Sequence, residues 1–176
     1  MKVWHRSYLL LLALAVQGCE RDPYFPPDYY TGEADALKNG QRWRAWVYAK
    51  PGKPYPAHGF YIAMNVYNSN LYLRESLSFF NIPHASQSNI IDTLTIYADT
   101  ALAGASFGTF IDDGDVVSVH YKVIEQVGFA NQLTVTSYNK ETGEISGNFQ
   151  VTLTNENGPP DTVRFTDGHF HTWIEK

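Results

Sequence analysis

The chain reads as an all-β domain, an antiparallel β-sandwich or β-barrel of about eight or nine strands. Three observations predict this. Apolar and polar residues alternate in most segments after residue 33. Turn-forming clusters separate these segments at hairpin spacing. No stretch of ten or more residues carries a helical period.

In order along the chain, Asn39-Gly40 lies between Ala34–Lys38 and Gln41–Tyr48, the strongest short hairpin signal. Gly59–Tyr67 alternates, with Phe60, Ile62, Met64 and Val66 on one side. Asn68-Ser69-Asn70 turns the chain. Leu71–Phe80 alternates again, with Leu71, Leu73, Leu77 and Phe79 on one face. Ile90–Tyr97 and Val116–Ile124 are β-branched runs that favour strands. A single helical turn is expected at Asp99–Ala105. Gln132–Tyr138 passes through the turn Asn139–Gly143 into Glu144–Thr154. There Ile145, Phe149, Val151 and Leu153 face the core, while Ser146, Asn148, Gln150, Thr152 and Thr154 face water. After the loop Asn155–Pro160, Asp161–Thr166 and Gly168–Glu175 read as a closing hairpin about Asp167-Gly168.

Composition bounds the function. With 176 residues, 44% hydrophobic and 15% aromatic, the chain suits one packed domain and excludes a disordered one. A net charge of −5 argues against nucleic acid as a partner. The single Cys excludes an intramolecular disulfide and a cysteine-based zinc site.

Residues 1–18 have a basic start at Lys2 and Arg6 and an apolar run from Tyr8 to Val16, the pattern of a cleaved signal peptide. Val16-Gln17-Gly18-Cys19 resembles the lipobox of bacterial lipoproteins. The resemblance implies a diacylglyceryl group on Cys19, cleavage before it and acylation of the new amine. Several acyl chains at about 0.8 kcal/mol per buried CH₂ anchor a protein stably. Loss of residues 1–18 removes Lys2 and Arg6 but no acid, so the net charge moves from −5 to −7. That disfavours a second, electrostatic grip on anionic lipid. Residues 19–33, with Pro23, Pro26 and Pro27 among tyrosines and acids, read as a lipidated, semi-rigid tether. Residues 34–176 form the β domain. The expected address is the outer membrane, with the domain on its periplasmic or cell-surface face.

A family resemblance rests on Leu37-x-Asn39-Gly40-x-x-Trp43 and on the C-terminal third. The latter reads Ser137-Tyr138, Gly147-x-Phe149-x-x-x-Leu153 and Thr166-x-Gly168-x-Phe170-x-x-x-Ile174. Together these resemble a family of small, uncharacterised β-rich lipoproteins of the Bacteroidota. The motifs are hairpin glycines and core aromatics, so they imply a fold and an address and no activity. Asp92-Thr93-Leu94, Asp99-Thr100-Ala101 and Asp161-Thr162-Val163 resemble acceptor sites for O-glycosylation of exported Bacteroidota proteins. The strand propensity of Thr accounts for them equally without sugar.

Four constellations bear on chemistry. Gly104-Ala105-Ser106-Phe107-Gly108 matches Gly-x-Ser-x-Gly, which would make Ser106 a hydrolase nucleophile. That chemistry needs a strand-to-helix turn, and a strand follows here. His169 and His171 share one face of a strand and are weak metal candidates, with His120 or His58 as a third ligand. The bland alternative is a pair of exposed histidines, and no metal or other cofactor is expected. Asp112-Asp113-Gly114-Asp115 lacks the full calcium-loop pattern and reads as a solvated turn. The aromatics are the most suggestive. Trp46, Tyr48, Tyr61, Tyr67, Tyr72, Tyr138 and Trp173 fall on faces assigned to solvent, with Arg42, Arg44 and Arg74 beside them.

Aromatic faces stack on sugars or bury at interfaces, and Arg supplies planar donors. The stiff loop Lys50–His58 would rim such a site. The competing explanation is that a partner or a closed barrel hides these rings. The leading expectation is a non-catalytic binding or accessory lipoprotein with a glycan, peptide or protein ligand. Its site would comprise Trp46, Tyr48, Tyr61, Tyr72, Arg44 and Trp173. The alternatives are an enzyme using Ser106 or a metal on His169 and His171, and a structural envelope subunit.

Overall fold

The computed structural model describes residues 32–51, 59–83, 85–91 and 102–174. The signal peptide, Cys19, residues 19–31 of the tether, His58, and the tripeptides at Asp92 and Asp99 lie outside the described residues. The elements are β1 (Gly32–Lys38), β2 (Gln41–Pro51), β3 (Phe60–Tyr67), β4 (Leu73–Ile82) and β5 (Ser88–Ile90). They continue as β6 (Gly104–Ile111), β7 (Val116–Val123), β8 (Gln132–Tyr138), β9 (Glu144–Asn155) and β10 (Thr162–Trp173). Eight strands close an antiparallel barrel in the order β1-β2-β3-β4-β6-β7-β9-β10, with β10 returning to β1. Closure removes the open edges that a sheet would otherwise leave.

β8 and β5 are additions to this barrel. One edge of β9 is shared, with β7 opposite Leu153–Asn155 and β8 opposite Ile145–Gln150. β7 and β8 therefore act as one strand interrupted by residues 124–131. Asn131 clasps this excursion: its amide donates to the Ile124 carbonyl at 2.8 Å and its oxygen accepts the Thr152 N–H at 2.8 Å. The Arg164 guanidinium lies 4.8 Å from the Phe129 ring centre and also bonds Gln126, holding the excursion on the barrel wall.

Alternation sets what is inside. Ala34 and Ala36, Trp43 to Ala49 at every second position, and Phe60, Ile62 and Met64 face the core. Leu77, Phe79, Phe107, Phe149, Leu153 and Phe165 complete it from the far side. Burying each such side chain contributes about 1.5–3 kcal/mol. The Asn39-Gly40 hairpin forms as expected, with both residues at positive φ (50° and 77°), the geometry of a type I′ turn.

The Gly-x-Phe motifs have a packing explanation. In the β9–β10 register Gly168 lies opposite Phe149, and Phe170 lies opposite Gly147. Each ring covers the glycine of the neighbouring strand. A Cβ on Gly168 would meet Phe149 ring atoms at 2.6 Å, and one on Gly147 would meet Phe170 Cε1 at 2.7 Å. The spacing of two residues in each motif, read antiparallel, makes the exchange reciprocal.

Several expectations need correction. The sandwich alternative gives way to the barrel, and ten strands are present among the described residues. β1 begins at Gly32, inside the expected tether. Leu71 is an exposed turn residue at φ 71°, because Asn68 Oδ1 accepts the Asn70 and Tyr72 N–H groups and extends the turn. The expected helical turn at Asp99–Ala105 is contradicted at its end, since Gly104 opens β6; residues 99–101 lie outside the described residues. Of the expected strand Ile90–Tyr97, Ile90 ends β5, and residues 92–97 lie outside the described residues.

Asp167-Gly168 does not reverse the chain. β10 runs through it with a bulge, and only Asp167 takes positive φ. A type I′ turn needs positive φ at both positions, whereas Gly168 serves as the bed for Phe149. Thr152, expected to face water, is fully buried under the excursion. Tyr138, assigned to the solvent face, packs against the core with its ring centre 6.1 Å from that of Phe60. The β8 register shift between Val135 and Ser137 reverses its side.

Candidate functional site

Two polar–aromatic assemblies stand out, one inside the barrel mouth and one on its outer wall. The first arises where the β2–β3 ladder stops. That ladder runs from Pro51 opposite Phe60 to Trp46 opposite Asn65, although β2 extends to Gln41 and β3 to Tyr67. Inside the barrel, beside this split, Glu75 of β4 bonds across to β1 and β2. One carboxylate oxygen pairs with the Lys38 ammonium, and the other accepts the Trp43 Nε1–H at 2.7 Å. Lys38 also sits 5.7 Å from the Phe107 ring centre. The cluster ties β4 to β1 and β2 beside the place where β2 and β3 are no longer laddered.

Nearby, the Tyr121 hydroxyl donates to Asp161 at 2.8 Å. Burial and the Asp161 carboxylate together push the Tyr121 pKa up to about 12. The folded chain thus holds this proton more tightly than the unfolded chain, where the value is 10.0. The resulting stability is complete below about pH 10 and is lost as pH rises towards 12. Urea denaturation across pH 9 to 12 is expected to show a steeper loss for the native chain than for Tyr121→Phe. Parallel curves would contradict the assignment.

These interior residues were not expected as a group. The signal was present: Glu75 occupies the core-facing register between Leu73 and Leu77, and Lys38 follows Ala34 and Ala36 in the same phase. A charge at an inward strand position asks for a partner.

The outer wall carries the expected aromatics. Trp46 and Tyr48 of β2 and Tyr61 of β3 face outward together, with the Tyr48 and Tyr61 ring centres 5.9 Å apart. The Lys50 ammonium lies 5.4 Å and 5.3 Å from those two centres, so a cation is held against both rings. The Tyr61 hydroxyl shares a hydrogen bond with Ser78 at 2.7 Å. Trp173 joins this wall because β10 outruns β1 and meets β2 directly. Thr172 Oγ1 donates to the Val47 carbonyl at 3.3 Å, and Ala49 and Ile174 form a parallel bridge. The His171 imidazole packs edge-on against Trp173 at 4.6 Å and bonds Glu144 at 2.8 Å.

Arg44 shares the outward face of β2 with Trp46. Beside them the split opens a cavity of about 260 Å³, lined by Glu33, Ala34, Arg44, Ala45, Trp46, Asn65, Val66 and Tyr67. Tyr72 does not belong to the wall. It sits at the β3–β4 turn, 5.7 Å from the Arg74 guanidinium, which itself donates to the Asp112 carbonyl at 2.9 Å.

The remaining candidates are placed apart. Ser106 lies inside β6, opposite Ser78 and Lys122, with no hydrogen bond to a histidine among the described residues. Of its flanking glycines, Gly104 serves as the bed for the Phe80 ring, whereas a Cβ on Gly108 would meet Phe110 at 3.4 Å, ordinary contact. His169 bonds Asn148 at 2.7 Å, and His120 bonds Glu156 at 2.7 Å. No group of three or more His, Cys, Asp or Glu residues is placed to hold a metal among the described residues. In the acidic turn, a hydrogen bond from Asp113 and its like charge raise the pKa of Asp115 above the ordinary carboxylate value. A second recess, of about 500 Å³, lies between Ile90–Ile91 and the excursion at Glu125–Asn131. No protein-family model, curated protein or solved structure matches the chain.

Proposed function

We propose that this chain is a lipid-anchored, non-catalytic binding protein of the bacterial envelope, of the small β-rich lipoprotein kind found in Bacteroidota. Cys19 would carry the anchor at the outer membrane, and residues 20–31 would space the barrel from it. The ligand class is glycan, recognised by stacking and hydrogen bonding without bond-making. The observation that carries this reading is the assembly of Trp46, Tyr48, Tyr61 and Trp173 on one outer wall of a barrel whose interior is filled by its own side chains. An open outer wall of rings suits an extended chain of sugars better than a small molecule taken into the lumen.

A glycan array tests this directly. The native chain is expected to bind a subset of neutral glycans, and Trp46→Ala and Trp173→Ala each to weaken binding about tenfold, as one stacking contact of ~1.4 kcal/mol predicts. Unchanged binding by both variants would overturn it, as would a native chain that binds no glycan.

A further inference from the structure

We infer that the split between β2 and β3 is the primary sugar subsite, and that it takes one terminal, uncharged pyranose ring; this rests on the glycan reading above. The cavity of about 260 Å³ falls just below the usual range for drug-sized pockets, so it suits a single ring. It exists because the β2–β3 ladder ends at Trp46 and Asn65 while both strands run on. A register shift between Val66 and Tyr67 in the β3–β4 pairing accompanies the divergence. The strand edges facing the split are no longer laddered to each other there, and two aromatic side chains, Trp46 and Tyr67, line the opening.

The side chains fit a polyol better than an ion. Glu33 and Asn65 lie directly opposite Trp46 on its two neighbouring strands. Arg44 is two residues along the same face of β2, and Tyr67 two residues along that of β3. Arg44 can only donate and a Glu33 carboxylate can only accept, while the Asn65 carboxamide does both. Hydroxyl groups also do both. A carboxylated sugar drawn to Arg44 would meet the like charge of Glu33, and an amino sugar drawn to Glu33 would meet Arg44. A neutral ring pays neither penalty. Its C–H face suits the indole of Trp46, and its hydroxyl rim suits the polar groups. Asn65 is only 7% exposed, so its carboxamide is already withdrawn from bulk water. By contrast, the Tyr48 and Tyr61 faces already hold the Lys50 ammonium, which makes them a secondary contact.

The test uses isothermal titration of the chain with glucose, galactose, mannose, N-acetylglucosamine, glucuronic acid, glucosamine and neutral disaccharides. Native binding of at least one neutral sugar, with glucuronic acid and glucosamine at least tenfold weaker, is expected. Arg44→Leu and Glu33→Gln are expected to reduce neutral-sugar binding at least fivefold and to improve the relative binding of the charged sugar each had excluded. Thermal melts check that both variants fold. If Trp173→Ala abolishes binding while Arg44→Leu and Glu33→Gln leave it and the charge preference unchanged, the subsite is wrong and the glycan reading stands. If the native chain binds no sugar in this panel or on the array, both fall.

Discussion

Replacing Gly147 with Ala is expected to destabilise the barrel by about 3 kcal/mol or more, among the largest effects of any single change. The added methyl would overlap the Thr134 carbonyl oxygen on β8 as well as the Phe170 ring. Backbone cannot step aside without breaking the β8–β9 ladder that Gly147 sits in, opposite Val135. Gly168→Ala differs in kind. The nearest atoms to its new Cβ would be ring atoms of Phe149, which is 3% exposed and packed edge-on against Phe79 at 5.5 Å.

Trimming that ring should therefore relieve Gly168→Ala. The double change Gly168→Ala with Phe149→Leu is expected to cost at least 1 kcal/mol less than the sum of the singles. No such rescue is expected for Gly147→Ala with Phe170→Leu, because the Thr134 carbonyl stays in place. Urea denaturation of the two cycles checks this. Additivity in the first, or equal rescue in both, would contradict the reciprocal packing.

The second large effect is expected at Glu75. Glu75→Ala removes the acceptor of the Trp43 indole and the counter-charge of Lys38 at the place where β2 and β3 are no longer laddered. The side chains of Lys38 and Glu75 are 28% and 21% exposed, so water partly compensates the stranded ammonium. A loss of about 2 kcal/mol follows, or a fall in Tm of roughly 5–10 °C. Glu75→Gln keeps an acceptor for Trp43 and should recover about half. A Tm unchanged in Glu75→Ala would mean that the cluster contributes nothing to closing the split.

Much of the fold was legible because period-2 alternation and turn chemistry are local. Asn39-Gly40, the Asn139–Gly143 turn and the core faces of β3 and β9 all follow from neighbours in sequence. The misreadings occur where the same residues serve a non-local need. Gly168 follows Asp167 as a turn glycine would, yet it is there for a ring on the next strand. Thr152 lies among core residues and is covered by an excursion whose Asn131 is 21 residues upstream.

The site divides in the same way. Trp46, Tyr48 and Tyr61 were legible as outward aromatics, and their strands are neighbours in sequence. That Trp173 joins them depends on β10 outrunning β1, a matter of barrel closure. The cavity at Arg44 depends on where a ladder stops, which no residue type announces. Glu75 was legible in principle, since an acid in an apolar register is visible without a structure.

The indole N–H signals of a ¹⁵N-labelled chain, followed by NMR while a bound neutral glycan is titrated, test the placement of binding most directly. Trp43 donates to Glu75 inside the mouth, whereas Trp46 and Trp173 stand on the outer wall. The Trp46 and Trp173 signals are expected to shift with saturation while that of Trp43 stays fixed. Movement of the Trp43 signal with the other two unchanged would place the ligand in the lumen and contradict the account.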